Sequence, residues 1–234
     1  MTKKAIVIAT TKSWNKKNAL IFQERFEKEY DTYIFTDKNQ LTYEALKAIQ
    51  PRYCFFPHWS WIIPKNIYID FDCIVFHMTD LPYGRGGSPL QNLIIRKNYE
   101  TKISALKVDS GIDSGKIYMK IPFYVGIGNA EEILLKASQA IFFEMIPKIL
   151  LTKPIPRKQA GQMVIFKRRK PDDSDLGSAN LVSLDDWYDF VRMLDGEGYP
   201  NAYLKVGRFK VTFKNVRRGS ANIAGTFEVE EDEE

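Results

Sequence analysis

Residues 5–9, AIVIA, are the stretch of sequence that decides the fold. A continuous run of apolar and β-branched residues is typical of a strand that is buried on both faces, as in a parallel sheet. Similar short runs alternate along the chain with segments of helical spacing; the strand-like runs are residues 32–35, 53–56 and 73–76, and the helical segments are residues 19–30 and 41–49. This alternation predicts an α/β fold: a Rossmann-like, mostly parallel sheet with helices on both faces.

The rest of the chain predicts further helices and strands. The expected helices are residues 89–97 (capped by Ser88), 130–150 and 184–194, and the expected strands are residues 101–108, 116–121, 163–166, 202–206 and 209–216. Pro154 and Pro156 stop helical structure and mark a boundary. We therefore expect a main domain over residues 1–180 and a small, β-rich C-terminal α+β subdomain over residues 181–234 with a solvated, frayed acidic tail.

Hydropathy and cysteine usage restrict the protein's environment. No apolar run approaches the roughly 20 residues that a membrane span needs, and the N-terminus lacks the long apolar core of a signal peptide. The sequence therefore predicts a cytoplasmic protein with no membrane partner. In a reducing compartment, Cys54 and Cys73 are expected to be small buried hydrophobic residues rather than a disulfide or a metal pair, and no metal is expected.

The charge is distributed unevenly. The chain has a net charge of +5, and six of its last seven residues are acidic, so the remainder carries a net charge near +11. A basic body indicates an anionic ligand, such as phosphate, diphosphate, a polyglutamylated cofactor or nucleic acid. A lysine-rich soluble surface would give the same composition.

Both histidines of the chain follow predicted strands. His58 comes after the run at residues 53–56, and His77 comes after the run at residues 73–76. In open α/β sheets the ligand crevice lies beyond the carboxyl ends of the strands. A single histidine at a strand end is more often structural, but two of them, followed by a glycine-rich loop, indicate a functional edge.

Several motifs resemble those of the folate-dependent formyltransferases. Residues 77–89, HMTDLPYGRGGSP, are similar to that family's signature, which has a histidine, a Leu-Pro pair and an Arg-Gly followed by proline. Residues 108–115, VDSGIDSG, look like its second conserved loop. Weaker similarities follow the same order along the chain, at residues 59–64, 100–101, 168–173 and 195–203. The resemblance implies a catalytic domain over residues 1–180 that uses N10-formyltetrahydrofolate.

The resemblance also implies roles for particular residues. His77 and Asp113 would be catalytic, because formyl transfer needs a group that accepts the amine proton and a carboxylate that orients and supports the histidine. Asp113 could instead be an ordinary turn residue in Asp-Ser-Gly. The residues expected to bind folate are Trp59, Ser60, Ile62, Ile63, Asp109, Gly111 and Ile112. The residues expected near the acceptor substrate are Thr79, Arg85, Trp14, Arg168 and Arg169. The tryptophans could equally be core residues, and the basic run could be solvated surface.

One position departs from the family pattern. The family has an asparagine two residues before the histidine, where its amide stabilises the oxyanion, and this chain has Val75. Losing one oxyanion donor typically costs ~10²–10³ in rate. We expect His58 to supply the missing hydrogen bond; Thr79, a backbone N–H or an inactive chain are the alternatives.

The acceptor is the least constrained part of the hypothesis. Initiator methionyl-tRNA, glycinamide ribonucleotide and a nucleotide-linked amino sugar all fit the reaction. The short region after residue 180 and its acids argue against RNA. The resemblance favours a UDP-linked 4-amino-4,6-dideoxy sugar, and hence a role in glycan biosynthesis with no nucleic-acid partner. A homodimer is left open, and a non-catalytic nucleotide-sugar-binding module is the alternative of another class.

Overall fold

The structure is a computed structural model, and residues 3–232 of it are described. This part of the chain divides into two compact units. The first comprises residues up to 85, residues 102–123 and residues 135–165; the second comprises residues 86–101, residues 124–134 and residues from 166 onwards. Neither unit is continuous in sequence, and a domain boundary at residue 180 stays a prediction.

The first unit is built on a six-stranded sheet. Its order is β2-β1-β3-β4-β6-β7, where β1 is Lys4–Ala9, β2 Tyr30–Phe35, β3 Cys54–Phe56, β4 Cys73–His77, β6 Glu100–Lys107 and β7 Ile117–Tyr124. The pairs β1/β2, β1/β3 and β3/β4 are parallel, whereas β4/β6 is antiparallel. The expectation of a mostly parallel α/β sheet is confirmed. Residues 6–9 are completely buried, as their continuous apolar pattern requires.

The helices of the first unit show where hydrophobic spacing misleads. They are α1 (Ser13–Arg25), α2 (Tyr43–Ile49), α3 (Lys65–Asp70), most of α5 (Ala130–Ala140) and α6 (Ile146–Thr152). Helix α1 begins six residues before the predicted start at residue 19, because its first turns bury the polar Asn15 and Asn18, which carry no apolar signal. The predicted helix at residues 130–150 is interrupted by a π-helical turn at Ile141–Met145, just before Pro147, which cannot donate to the helical ladder.

The second unit contains an antiparallel sheet in the order β11-β10-β9. Its elements include α4 (Pro89–Ile95), α7 (Leu184–Arg192), β9 (Ala202–Val206), β10 (Phe209–Arg218) and β11 (Ile223–Glu231). Two short strands, β5 (Arg85–Gly86) and β8 (Ile165–Phe166), pair with each other in a sheet of their own. The prediction of a frayed acidic tail is wrong over its described part, because residues 228–231 lie in β11 and pair with β10. Strand β11 was missed because its outward-facing acids resemble a solvated end. Ser88 precedes α4, but its hydroxyl accepts a hydrogen bond from the Arg169 backbone N–H instead of capping the helix.

The two cysteines and the hydropathy of the helices bear on the expected environment of the protein. Cys54 and Cys73 are both unpaired and buried, as the sequence predicted. Within residues 3–232, no helix has the length and apolar character that crossing a bilayer requires.

Candidate active site

The two histidines lie where neighbouring strands end. Phe56 of β3 pairs with Val75 of β4, so the next residues along each strand lead to His58 and His77. His77 is buried, and His58 is partly exposed in a left-handed backbone conformation with φ of +50°. Burial is the main cause that lowers the pKa of His58 to about 4, with smaller contributions from Lys12 and His77. The predicted functional edge of the sheet therefore brings both histidines together.

The tautomer of His77 is set by a backbone carbonyl. Its Nε2 atom lies 2.7 Å from the carbonyl oxygen of Gly84, and a carbonyl can only accept, so Nε2 carries the hydrogen. The hydroxyl of Thr79, which is fully buried, also donates to this oxygen at 3.3 Å. Nδ1 is consequently the nitrogen that can take up a proton. The carbonyl of Gly84 therefore orients the ring of His77, which is the role that the sequence analysis gave to Asp113.

Asp113 faces the proton-accepting side of His77. Its Oδ2 atom is 3.5 Å from Nδ1 of His77, and both side chains are largely buried. At this separation the carboxylate stabilises an imidazolium that forms on His77. The structure therefore brings together the histidine and the aspartate that the motifs singled out, and it places the carboxylate beside Nδ1 of His77.

Asp113 is held in place by a residue that the sequence did not reveal. The backbone at Asp113 is left-handed, with φ of +49°, which is uncommon for a non-glycine residue. The side-chain amide of Gln159 donates to the carbonyl oxygens of Asp113 (2.8 Å) and Gly115 (2.9 Å). The oxygen of the same amide accepts from Nε (3.1 Å) and Nη2 (2.7 Å) of Arg85. Arg85, expected near the substrate, is therefore engaged in supporting the loop.

A cavity of about 420 Å³ opens beside this pair. It is lined by residues 61–65 and 106–115, together with Tyr68 and Val75, and so by most of the motif at residues 59–64 and all of the motif at residues 108–115. Ile62 is 94% exposed and Ile112 is 77% exposed, an unusual state for large apolar side chains that flank a cavity. Of the residues predicted to bind folate, the cavity wall contains Ile62, Ile63, Asp109, Gly111 and Ile112.

The remaining predicted residues have other surroundings. Trp59 packs edge-on against Phe56 and Trp61 and lies outside the cavity wall, and Ser60 is exposed. The buried Trp14 makes an edge contact with His58, at 6.5 Å between ring centroids. Arg168 and Arg169 belong to the second unit, where the Arg169 guanidinium lies over the ring of Phe190. No cluster of metal-ligating side chains occurs within residues 3–232.

The sheet, the His77–Asp113 pair and the adjacent cavity define an α/β protein of the formyltransferase class. The chain is 51% identical to a methionyl-tRNA formyltransferase from Clostridium thermocellum, with a TM-score of 0.94 and coverage of 97% of this chain and 99% of that one. Residues 171–230 match the family model described as the C-terminal domain of methionyl-tRNA formyltransferase. The chain belongs to the methionyl-tRNA formyltransferase family, whose members are folate-dependent enzymes.

Two further relatives define the limits of this similarity. A methionyl-tRNA formyltransferase from Nitratiruptor sp. is 28% identical over 153 residues, which cover 62% of this chain and 51% of that protein. The chain thus spans about half the length of the curated relatives it matches. A likely sugar N-formyltransferase from Mycobacterium tuberculosis shares the fold, with a TM-score of 0.73, but only 16% of the sequence; the alignment covers 94% of this chain and all of that one.

The predicted amino-sugar acceptor is therefore wrong, as is the argument that excluded RNA. A short C-terminal region does not distinguish the two classes, because the relative from Clostridium thermocellum has the same extent. Three acids of that region are also paired: Glu228 with Lys214, Glu231 with Arg208, and Asp232 with Lys205. Ion pairing cancels much of the negative field that the sequence alone indicated.

Proposed function

We propose that this chain transfers the formyl group of N10-formyltetrahydrofolate to the amino group of methionyl-tRNA. The observation that carries the acceptor is the 51% identity to the Clostridium thermocellum enzyme over nearly the whole of both chains. The observation that supports the chemistry is the 3.5 Å approach of Asp113 to the basic nitrogen of His77 beside the cavity.

The reaction replaces one carbon–nitrogen bond by another. The amine nitrogen bonds to the formyl carbon, and the bond between that carbon and N10 breaks, so no oxidant or reductant is needed. One proton leaves the amine, and one is gained by N10. His77 can carry this proton on Nδ1, because Nε2 is already committed to the Gly84 carbonyl. Asp113 stabilises the charged imidazole during the transfer.

The cavity fits the reduced folate. Its volume is within the usual range for small-ligand sites, and its apolar walls suit a flat heteroaromatic ring. Burying the exposed Ile62 and Ile112 side chains against the ligand would contribute favourably, at roughly 25 cal/mol for each Å² removed from water. Val108 and residues 109–115 also line the cavity.

Exposed basic residues on the first unit suit an RNA acceptor. Lys17 lies on the first turns of α1, and Arg157 and Lys158 lie on the segment that leads to Gln159; all three are exposed. Lysine and arginine side chains of this kind contact phosphates without reading sequence. The acceptor end would then approach the strand ends where His77 and His58 lie.

The decisive experiment is a formyl-transfer assay with purified chain, formyl-folate and methionylated initiator tRNA. We expect formyl-methionyl-tRNA, identified by mass spectrometry after hydrolysis. His77→Asn and Asp113→Asn should each lower turnover by at least ~10². Asp70→Asn removes a carboxylate that only bonds Tyr43 on the surface, and it should behave as wild type. Formylation of a small amine with none of the charged tRNA would contradict the proposal.

A further inference from the structure

Val75 leaves the site without a side-chain hydrogen-bond donor two residues before His77. It belongs to β4 and lines the cavity next to the reacting pair, and its side chain cannot donate. Oxygen gains negative charge when an amine adds to a formyl carbon, and a donor aimed at that oxygen is worth ~10²–10³ in rate. Another group at this edge of the sheet must therefore take the role if the proposed reaction proceeds at an ordinary rate.

His58 is positioned by a buried asparagine. Asn15 has no exposed surface and lies in the first turn of α1. Its Nδ2 atom is 3.1 Å from Nδ1 of His58 and 3.3 Å from the carbonyl oxygen of Pro57. The side chain of Asn15 therefore links helix α1 to the segment that follows β3.

The orientation of the Asn15 amide is determined by the Pro57 carbonyl. That oxygen can only accept, and it also receives a hydrogen bond from the buried Thr10 hydroxyl at 2.7 Å. The reversed amide would place two acceptor oxygens against each other. The amide nitrogen therefore faces both Pro57 and His58, so Nδ1 of His58 accepts and its single hydrogen is on Nε2.

His58 is also held neutral, with Nε2 unengaged. Burial, the nearby Lys12 and His77 together lower the pKa of His58 to about 4. Among residues 3–232, no group forms a hydrogen bond with Nε2, although the ring is only partly exposed. A neutral imidazole with a fixed Nε2–H is a donor that neither consumes a proton nor competes with His77 as the base.

We propose that Asn15 is a positioning residue that fixes His58 as the Nε2–H tautomer, and that this N–H is the oxyanion donor that replaces the one absent at Val75. This inference rests on the proposed formyl transfer. His58 adds no proton of its own to the balance of the reaction: it holds the formyl oxygen while His77 carries the proton.

The tautomer is measured without any assay of turnover. The chain has only two histidines, so nitrogen-15 NMR of the imidazoles shows two rings, and His77→Asn identifies the signal of His58. We expect Nε2–H at His58 in the wild type. In Asn15→Asp the carboxylate can only accept, so the hydrogen of His58 should move to Nδ1. An Nδ1–H ring in the wild type, or a ring unaffected by Asn15→Asp, would overturn the inference even if the enzyme forms formyl-methionyl-tRNA.

A second asparagine on the same helix provides the matched control. Asn18 is also buried and donates to Ser138 at 2.7 Å, away from His58. Asn18→Leu and Asn15→Leu each remove one buried amide from α1, so both should lower the melting temperature. Only Asn15→Leu should allow the His58 ring to sample both tautomers and reduce kcat. An equal loss of kcat in both variants would show that Asn15 is merely structural.

Turnover distinguishes which nitrogen of His58 matters. His58→Gln places an N–H near the position of Nε2, whereas His58→Asn places one near Nδ1. We expect His58→Asn to lower kcat by ~10²–10³ with little change in KM, and His58→Gln to recover at least tenfold of that loss. Adding Val75→Asn to His58→Asn should also restore turnover. Full activity in His58→Asn, or equal loss in both His58 variants, would refute the role of Nε2.

Discussion

Replacing Gly115 with alanine tests whether the loop that carries Asp113 must lie directly against β6. A Cβ atom on residue 115 would lie 1.7 Å from the carbonyl oxygen of Lys107, whereas real Cβ contacts essentially never fall below 3.0 Å. The two backbones would have to separate by about 1.3 Å, the difference between these distances. The obstacle is backbone rather than a flexible side chain, so no rotamer change removes it.

This displacement would directly affect the pair formed by His77 and Asp113. Asp113 is two residues before Gly115 and lies 3.5 Å from Nδ1 of His77, and Gln159 holds the carbonyls of both loop residues. The loop therefore cannot move as a whole without losing these hydrogen bonds. A misplacement of about 1 Å commonly costs ~10² in rate, so we expect kcat/KM to fall by about that factor and folate binding to weaken.

The assay combines formyl transfer with a calorimetric titration of reduced folate and a melting curve. Gly177→Ala is the control, since its Cβ would meet its nearest atoms at 3.3 Å and 3.4 Å, contacts that small adjustments accommodate. Gln159→Leu releases the same loop from its other side and should also lose activity. Unchanged turnover and folate affinity in Gly115→Ala would refute the reasoning that this contact positions Asp113.

Three further perturbations follow from the structure. Arg192→Leu should lower the free energy of unfolding by about 3–5 kcal/mol in urea titrations, because the buried guanidinium bonds Asp189 and two backbone carbonyls; a loss below 1 kcal/mol would contradict this. The pKa of His58 is lowered to about 4, so the unfolded chain takes up this proton first, and the stabilisation is lost as the pH falls from about 6.5 to 4. The melting temperature of His58→Gln should therefore depend less on pH in that window than the melting temperature of the wild type. The same pH dependence in both proteins would contradict the lowered pKa of His58. Ile112→Ser, at an exposed wall of the cavity, should weaken folate binding roughly tenfold, equivalent to about 1.4 kcal/mol, with the melting temperature unchanged; unaltered calorimetric affinity would place the folate elsewhere.

The segments that the ordered motifs singled out lie together in the folded chain, and the roles given to their residues stay predictions. Residues 61–65 and 106–115 meet across one cavity, and the histidine and aspartate of two separate motifs lie within 3.5 Å. The acceptor prediction is wrong because a short, acidic C-terminal region is not evidence against RNA. Charge counted along a sequence ignores pairing, and Glu228, Glu231 and Asp232 are each paired with a basic residue of the same sheet.

The sequence by itself determined the central strands and the edge of the sheet at which the two histidines lie. Runs such as residues 5–9 can be buried only as strands of a covered sheet, and the strands' carboxyl ends place His58 and His77 at one edge. The tertiary structure alone decided which nitrogen of each ring carries its hydrogen and which residue holds Asp113. Those properties depend on Gly84, Asn15 and Gln159, whose hydrogen-bonding partners become neighbours only when the chain folds. A polar side chain has no periodic signal along the sequence, because its partner is selected by distance and direction in space.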